Sequence, residues 1–401
     1  MTNSTRISHC KFAITPQPYP TSQLPSRRSC HFHRAGDVCV MEEAFVEMDM
    51  SAGDEPAAAF PTVRATVVQA SSVFYDTPAT IGTLAMRDSL LLNSLYKKAK
   101  RLIAEAAGQG AQLVVFPEAF VGGFPRGADF GVTIGGPAQA KGRKGKDVFC
   151  RYYASAIVVP GPEVRRLAEL AGEHRVYLVV GAVERQGHTL YNAVLFFGAG
   201  GEFLGRHRKL VPTALERLLW GCGDGSTLSL YDTRVGRLGA LVCWESKMPL
   251  ARAALYGGGL EVYCAPTADD SDLWQATARH VAHEGGCFLL SANQFCLRRD
   301  YPPPPGYAFS GFDEEPSPED VFCRGGSVIV SPSGAVLAGP KYDGEGLLAA
   351  DLDFSEIVRE KFDVDVVGHS SRPEVLTLVV KDQPQLPVTY TSSSRKAPSA
   401  V

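Results

Sequence analysis

The feature that most constrains this chain is a series of short apolar runs, rich in β-branched residues, that repeat along most of its length. Several runs are apolar at nearly every position, which indicates strands buried on both faces. The runs cover residues 63–70, 111–118, 176–184, 190–197, 237–244, 260–266, 287–294, 326–332 and 346–353. Helical patterns lie between them, at about 85–107, 162–174, 247–257 and 271–284. This alternation predicts one large α/β domain in which helices cover mixed sheets.

The composition is that of an ordinary globular protein and argues against several functional classes. The chain has 401 residues, a formal net charge of −3 at pH 7 and an isoelectric point near 6.3. Such a balance gives no broad basic field, so we expect neither nucleic acid nor an anionic membrane surface as a partner. No run approaches the roughly 18 consecutive apolar residues that a transmembrane helix needs. We therefore expect no integral membrane segment.

The cysteines are spread too widely to form a disulfide framework or a zinc ribbon. The ten of them stand at positions 10, 30, 39, 150, 222, 243, 264, 287, 296 and 323, and no two are separated by only two residues. Several lie in apolar runs, where a reduced and buried thiol is the expected state. The pattern predicts no structural metal.

Composition divides the chain into three parts. Residues 1–60 are predicted to be a disordered N-terminal extension, residues 61–381 a single catalytic domain, and residues 382–401 a disordered C-terminal tail. The expected location is the cytoplasm, and organelle targeting by the basic, Ser- and Pro-rich extension is the alternative. Within the domain, the Pro-rich stretch 300–320 is interpreted as a surface excursion.

Chemistry tends to collect where strands end, and four side chains stand out there. Glu118 follows an apolar strand in LVVFPEAF, and Lys209 and Glu216 stand seven residues apart in GRHRKLVPTALERLLWG. Cys243 stands in LGALVCWESKMP, on a predicted sharp turn between a strand and a helix. Taken singly, each has a plainer interpretation: a solvated loop carboxylate, a basic surface turn, a capping-box glutamate and an inert core thiol.

As a set, these side chains satisfy the needs of a cysteine nucleophile. The thiol needs a base to remove its proton, and the attacked atom needs a cation or donor where negative charge develops. No histidine presents itself as the base, but a buried carboxylate can take that role. We therefore predict that Glu118, Lys209 and Cys243 meet at one edge of the sheets.

The same motifs resemble those of the nitrilase superfamily of carbon–nitrogen hydrolases. FPE, HRKL followed by PTxxER, and CWE occur in that order, and the resemblance covers about residues 62–380. The runs WGCGDGS, YCAPTAD, EGGCFLLSANQFC, DYPPPP, GGSVIVSPSGAVLAGP and DVVGHSSRPEVL are similar to plant nitrilases of the cyanoalanine type. The resemblance implies a four-layer αββα sandwich that assembles into a homo-oligomer or filament.

The resemblance also implies a mechanism without a cofactor. Cys243 would be the nucleophile, Glu118 the general base, Lys209 the stabilising cation and Glu216 a second, orienting carboxylate. The substrate would be a small nitrile, with 3-cyano-L-alanine expected to give aspartate, asparagine and ammonia in cyanide detoxification. Two alternatives stay open: an amidase of the same superfamily, and a partner-dependent subunit of a hetero-oligomer with a related nitrilase that acts on an arylacetonitrile.

Two positions beside the nucleophile depart from the subgroup pattern. Ser246 and Lys247 follow CWE, where asparagine and arginine are usual. The second change replaces a guanidinium fork by a point charge. The departures affect the expected substrate more than the expected chemistry.

Overall fold

The computed structural model describes residues 60–72, 91–132, 141–301, 309, 316–385 and 388. The predicted N-terminal extension lies outside the described residues except for its last one, and so does most of the predicted C-terminal tail. Within the part of the chain that is described, no helix is long and apolar enough to cross a membrane.

The first sheet has six strands in the order β14-β1-β2-β3-β4-β5. Strand β1 pairs parallel to β2 and antiparallel to β14, and β2 pairs parallel to β3. Strands β3, β4 and β5 form an antiparallel meander at the other edge. The bounds are β1 Thr62–Gln69, β2 Leu113–Val115, β3 Tyr177–Gln186, β4 Thr189–Phe197, β5 Phe203–Arg208 and β14 Gly346–Asp353.

The second sheet also has six strands, in the order β13-β12-β9-β8-β7-β6. Its centre, β7-β8-β9, is parallel, and its flanking pairs are antiparallel. A separate antiparallel pair, β10 with β11, stands beside it. The bounds are β6 Tyr231–Thr233, β7 Gly236–Ala240, β8 Val262–Cys264, β9 Phe288–Ser291, β10 Phe295–Leu297, β11 Val321–Arg324, β12 Ser327–Val330 and β13 Val336–Lys341.

Helices cover the outer face of each sheet. Their bounds are α1 Leu91–Gly108, α2 Lys141–Ser155, α3 Pro162–His174, α4 Pro249–Gly257, α5 Asp272–Gly285 and α6 Ser355–Asp363. Helices α1 and α3 share one apolar core with the first sheet, and α4 and α5 share another with the second. A third core fills the space between the sheets. Because the strands are buried by a sheet on one face and helices on the other, their sequences are apolar throughout. The predicted four-layer αββα sandwich is confirmed.

The structure refines what the sequence indicates for three segments. The basic run before Lys209 is not only a surface turn: residues 203–208 form β5, an edge strand whose charged side chains suit that position. The basic stretch 142–146 lies in α2. The stretch 300–320 is exposed at residues 317–320, as expected of a surface excursion, but Tyr301 at its start is buried and stacks edge-on against Phe309.

Candidate active site

Glu118 lies on a tight turn just beyond β2. Ala119, the next residue, has a φ of 48°, and the main-chain oxygen of Glu118 accepts a hydrogen bond from Gln294 Nε2 at 2.8 Å. This turn passes so close to β3 that a Cβ at Gly181 would stand 2.2 Å from the main-chain oxygen of Pro117. Only glycine fits at that position, and the close approach holds the Glu118 side chain in the interior, where it is 0% exposed.

Lys209 lies between two carboxylates. Its side chain is fully buried, and Nζ donates at 2.8 Å to Glu118 Oε1 and at 2.8 Å to Glu216 Oε2. The backbone is fixed as well, because the Lys209 amide donates to the Asn192 carbonyl at 2.8 Å. Burial disfavours the ammonium, but the charges of the neighbouring carboxylates, Glu118 first, outweigh it and raise the pKa of Lys209. Lys209 is therefore a fixed cation in this cluster.

Glu216 both caps a short helix and contacts Lys209, in agreement with the two interpretations of its sequence position. It lies in a short 3₁₀ helix, Ala214–Leu218, and its Oε2 accepts from the Thr213 amide at 2.7 Å as well as from Lys209. Burial, and then the charge of Glu118, raise the pKa of Glu216 above its ordinary value. The capping interaction aims the carboxylate at Lys209.

Cys243 lies on the predicted sharp turn. It has a φ of 54° and begins a 3₁₀ helix, Cys243–Lys247, that is followed by Pro249 at the start of α4. A positive φ is costly for a residue with a Cβ and concentrates at functional sites. The Cys243 amide donates to the Pro266 carbonyl at 2.9 Å, and Sγ accepts a hydrogen bond from the Thr267 hydroxyl at 3.1 Å. The surrounding structure thus holds this strained turn in place.

The thiol of Cys243 is protonated in the resting site. Burial, and then the negative charge of Glu118, raise the pKa of Cys243 to about 12, although Lys209, the Thr267 hydroxyl and a hydrogen bond from the Ala268 backbone oppose that rise. A nucleophile in this state must lose its proton to a base as it attacks.

Of the two carboxylate oxygens of Glu118, Oε1 accepts two hydrogen bonds and Oε2 accepts none from the described residues. Asn192 Nδ2 donates to Oε1 at 2.7 Å, alongside Lys209 at 2.8 Å. Oε2 is buried, and no donor among the described residues reaches it. A buried acceptor without a partner is uncommon in native proteins. The arrangement supplies a proton acceptor, a buried cation and a thiol within one electrostatically linked cluster.

Another buried carboxylate, that of Glu245, links the segment after β5 to the turn that carries Cys243. Glu245 accepts from the Leu210 amide at 2.7 Å and from the Val242 amide at 2.8 Å. His207 Nε2 lies 3.0 Å from Glu245 Oε2, while His207 Nδ1 lies 3.1 Å from the Thr227 carbonyl oxygen. Burial disfavours the imidazolium, but the charge of Glu245 outweighs it and raises the pKa of His207. The Glu245 carboxylate therefore sets the spacing between the segments that carry Lys209 and Cys243.

Sequence reasoning missed Asn192, Thr267 and the role of Glu245. Asn192 carried a usable signal, because it is a polar residue within the apolar run LYNAVLFF and is fully buried in β4. Thr267 and Glu245 carried none, since their roles arise from contacts between segments that are distant in the chain.

Ser246 and Lys247, the two residues that depart from the subgroup pattern, each contact another side chain. Ser246 is buried, and its Oγ accepts from the Tyr263 hydroxyl at 2.9 Å. Lys247 Nζ stands 3.8 Å from the ring centroid of Trp244, whose indole N–H donates to Asp269 Oδ2 at 2.6 Å. Trp244 is half exposed, whereas Trp274 is buried and packs in the core. Lys247 therefore contacts Trp244, the residue that follows Cys243.

Comparison with known proteins identifies the class to which this fold and site belong. Residues 64–361 match the family model described as carbon-nitrogen hydrolase, so the chain belongs to the carbon–nitrogen hydrolase family. Among solved structures, it is similar to an amidase of the nitrilase superfamily from Nesterenkonia, with a TM-score of 0.51 at 20% identity over 76% of this chain and 95% of that one. A carbon-nitrogen hydrolase from Helicobacter pylori gives a TM-score of 0.54 at 21% identity, covering 75% of this chain and 92% of that one. These likenesses support the fold.

Within that family, the sequence is of the plant nitrilase type. It is 61% identical over 352 residues to a bifunctional nitrilase/nitrile hydratase of Lupinus angustifolius, covering 88% of this chain and 94% of the relative. A relative of the same description from Oryza sativa is 62% identical over 358 residues, with 88% and 93% covered. Nitrilase 2 of Arabidopsis thaliana is 54% identical over 335 residues, with 84% and 93% covered.

Proposed function

We propose that this protein is a nitrilase that hydrolyses small nitriles to a carboxylic acid and ammonia, with the amide as a second product. The observation that carries the proposal is the buried cluster of Cys243, Glu118 and Lys209, in which Oε2 of Glu118 accepts no hydrogen bond from a described residue and can take the thiol proton. The names of the plant relatives, which describe both nitrilase and nitrile hydratase activity, support the pair of products.

The proposed reaction begins with proton transfer from Cys243 to Glu118 as sulfur attacks the nitrile carbon. Lys209 stabilises the negative charge that develops on the attacked group, and Glu216 holds Lys209 in place through their 2.8 Å hydrogen bond. The resulting thioimidate adds water to form a tetrahedral intermediate. Loss of ammonia leaves a thioester on Cys243, and a second water, activated by Glu118, releases the acid.

The proposed substrate is 3-cyano-L-alanine, which would give aspartate, asparagine and ammonia in cyanide detoxification. The resemblance of the motifs around the site to the cyanoalanine type supports this choice. We propose the cytoplasm as the location, because the nucleophile must stay reduced and the seven described cysteines are all free thiols.

The proposed assembly is a homo-oligomer or filament. Apolar side chains near the C-terminus support it, because Val375, Leu376 and Val379 are 64%, 81% and 81% exposed and are suited to contact with a second copy. Sedimentation velocity of the purified chain tests this proposal, and a monomer at micromolar concentration would contradict it.

The activity is tested by supplying the purified chain with 3-cyano-L-alanine, an arylacetonitrile and a simple amide, and by measuring ammonia and the organic products. We expect Cys243→Ala to remove all nitrile turnover. Cys287→Ala is the matched control, because Cys287 is also buried but lies beside α5. Ammonia released from a nitrile by the Cys243 variant would disprove the mechanism. Turnover that requires addition of a related chain would favour the partner-dependent subunit, and turnover of the amide alone would favour an amidase.

A further inference from the structure

Thr267 lies opposite the nucleophile on a different segment of the second sheet. It follows β8, is fully buried, and its amide donates to the Ala292 carbonyl at 2.9 Å in a parallel bridge that extends the pairing of β8 with β9. Its position is therefore set by the pairing of the sheet.

The hydroxyl of Thr267 has a defined donor direction. Its oxygen accepts a hydrogen bond from the Asp269 amide at 3.0 Å, and it donates to Cys243 Sγ at 3.1 Å. The Asp269 amide takes one lone pair of Oγ1, so the hydroxyl hydrogen points away from that amide, and the acceptor it meets is the sulfur. The contact therefore places a fixed hydrogen-bond donor against the Cys243 sulfur, whose negative charge rises and falls during the proposed reaction.

We propose that the Thr267 hydroxyl is a catalytic hydrogen-bond donor to the Cys243 sulfur and sets the share of amide among the products. The inference rests on the proposed nitrilase function. It concerns the tetrahedral intermediate, in which one carbon carries a hydroxyl group, an amino group and the Cys243 sulfur.

Two bonds of that intermediate compete to break. In the acid route, the hydroxyl proton passes through Glu118 to the nitrogen, the C–N bond breaks with its electron pair leaving on ammonia, and the oxygen forms the thioester carbonyl. In the amide route, the C–S bond breaks with its electron pair leaving on sulfur, and the hydroxyl again loses its proton to Glu118. The amide is released, and the proton held by Glu118 returns to the thiolate.

A hydrogen-bond donor to the sulfur favours the amide route. Charge builds on sulfur only when the C–S bond breaks, so the Thr267 hydrogen bond strengthens along the amide route and not along the acid route. The partition is decided before the thioester is hydrolysed. The ratio of the two products therefore reports on this hydrogen bond and does not depend on how much of the enzyme is folded.

The test compares Thr267→Val, which keeps the side-chain shape but removes the hydroxyl, with Thr267→Ser, which keeps the hydroxyl. Thr66→Val is the matched control, because Thr66 is equally buried in β1 and its Oγ1 has no partner among the described residues. Asparagine and aspartate formed from 3-cyano-L-alanine are quantified by chromatography. We expect the amide-to-acid ratio to fall about tenfold in Thr267→Val, the effect of one hydrogen bond to a charged group. We expect it to stay within about twofold of wild type in the other two variants.

The outcomes separate this inference from the proposed function. A wild-type enzyme that turns over no nitrile would refute the proposed function itself. If the wild type makes acid alone, or if Thr267→Val leaves the ratio unchanged, nitrilase chemistry stands and the role of Thr267 is refuted. An equal fall in Thr267→Ser would also refute it, because the hydroxyl would then not be the cause.

Discussion

Replacing Lys209 by methionine removes the buried cation while keeping the length of the side chain. Two charge-assisted hydrogen bonds are lost, worth about 2 kcal/mol each. The buried apolar side chain of methionine recovers about 1 kcal/mol of this. We therefore expect the free energy of unfolding to fall by about 3 kcal/mol, which a protein of ordinary stability survives. Turnover should fall by more, about 1,000-fold, because the developing charge loses its stabilising cation in a buried site.

The pH dependence of this variant follows from Glu216. Its pKa is already raised by burial and by the charge of Glu118, and without Lys209 it rises further. A carboxyl group whose pKa is raised by folding stabilises the folded state below its folded pKa and loses that contribution as pH rises through it. The stability lost by Lys209→Met should therefore be smaller at pH 5.5 than at pH 8.

The assay pairs urea denaturation with ammonia release from a nitrile. Lys100→Met is the control, because Lys100 forms an ion pair with Glu173 at 2.9 Å in which both side chains are about half exposed. Such surface pairs contribute little to stability because solvent screens them. We expect normal turnover from this control. Turnover of Lys209→Met above about a tenth of wild type would refute the charge role, since a stabilising cation in a buried site is worth far more than tenfold.

Two further predictions concern residues around the cluster. Asn192→Leu removes the second donor to Glu118 Oε1, so the carboxylate is less well oriented and kcat should fall about 100-fold with the fold retained; kcat equal to wild type with an unchanged denaturation midpoint would contradict this. His207→Gln removes an imidazole whose pKa is raised because the charge of Glu245 outweighs burial, so wild type should be the more stable protein near pH 6. That advantage should shrink as pH rises through the folded pKa of His207, and a constant difference in urea midpoints from pH 6 to pH 9 would show that the pair is not charged.

The fold could be predicted in outline because burial on both faces leaves a strong pattern in each strand. The predicted runs 63–70, 190–197 and 346–353 match the bounds of β1, β4 and β14 to within one residue. β5 was missed because an edge strand is only half buried and its sequence, FLGRHR, has no continuous apolar run. The Gly-rich, basic start of α2 lacks the apolar periodicity that indicates a helix.

The site could be predicted only as far as its residues lie at strand ends. Glu118, Lys209 and Cys243 each follow a strand, and the structure brings Glu118, Lys209 and Glu216 into direct hydrogen-bond contact. Thr267 could not be predicted, because its contact with Cys243 joins residues that are 24 positions apart on two segments of the second sheet. No local pattern encodes such a contact.

The high pKa of the Cys243 thiol has a consequence for the lifetime of the enzyme. Peroxides and electrophilic metabolites react with thiolates, and the resting side chain is a protonated thiol buried beside a carboxylate. The reactive form arises only when a substrate carbon is in place to receive the sulfur as its proton leaves. In the proposed mechanism, the sulfur thereby stays chemically silent between turnovers.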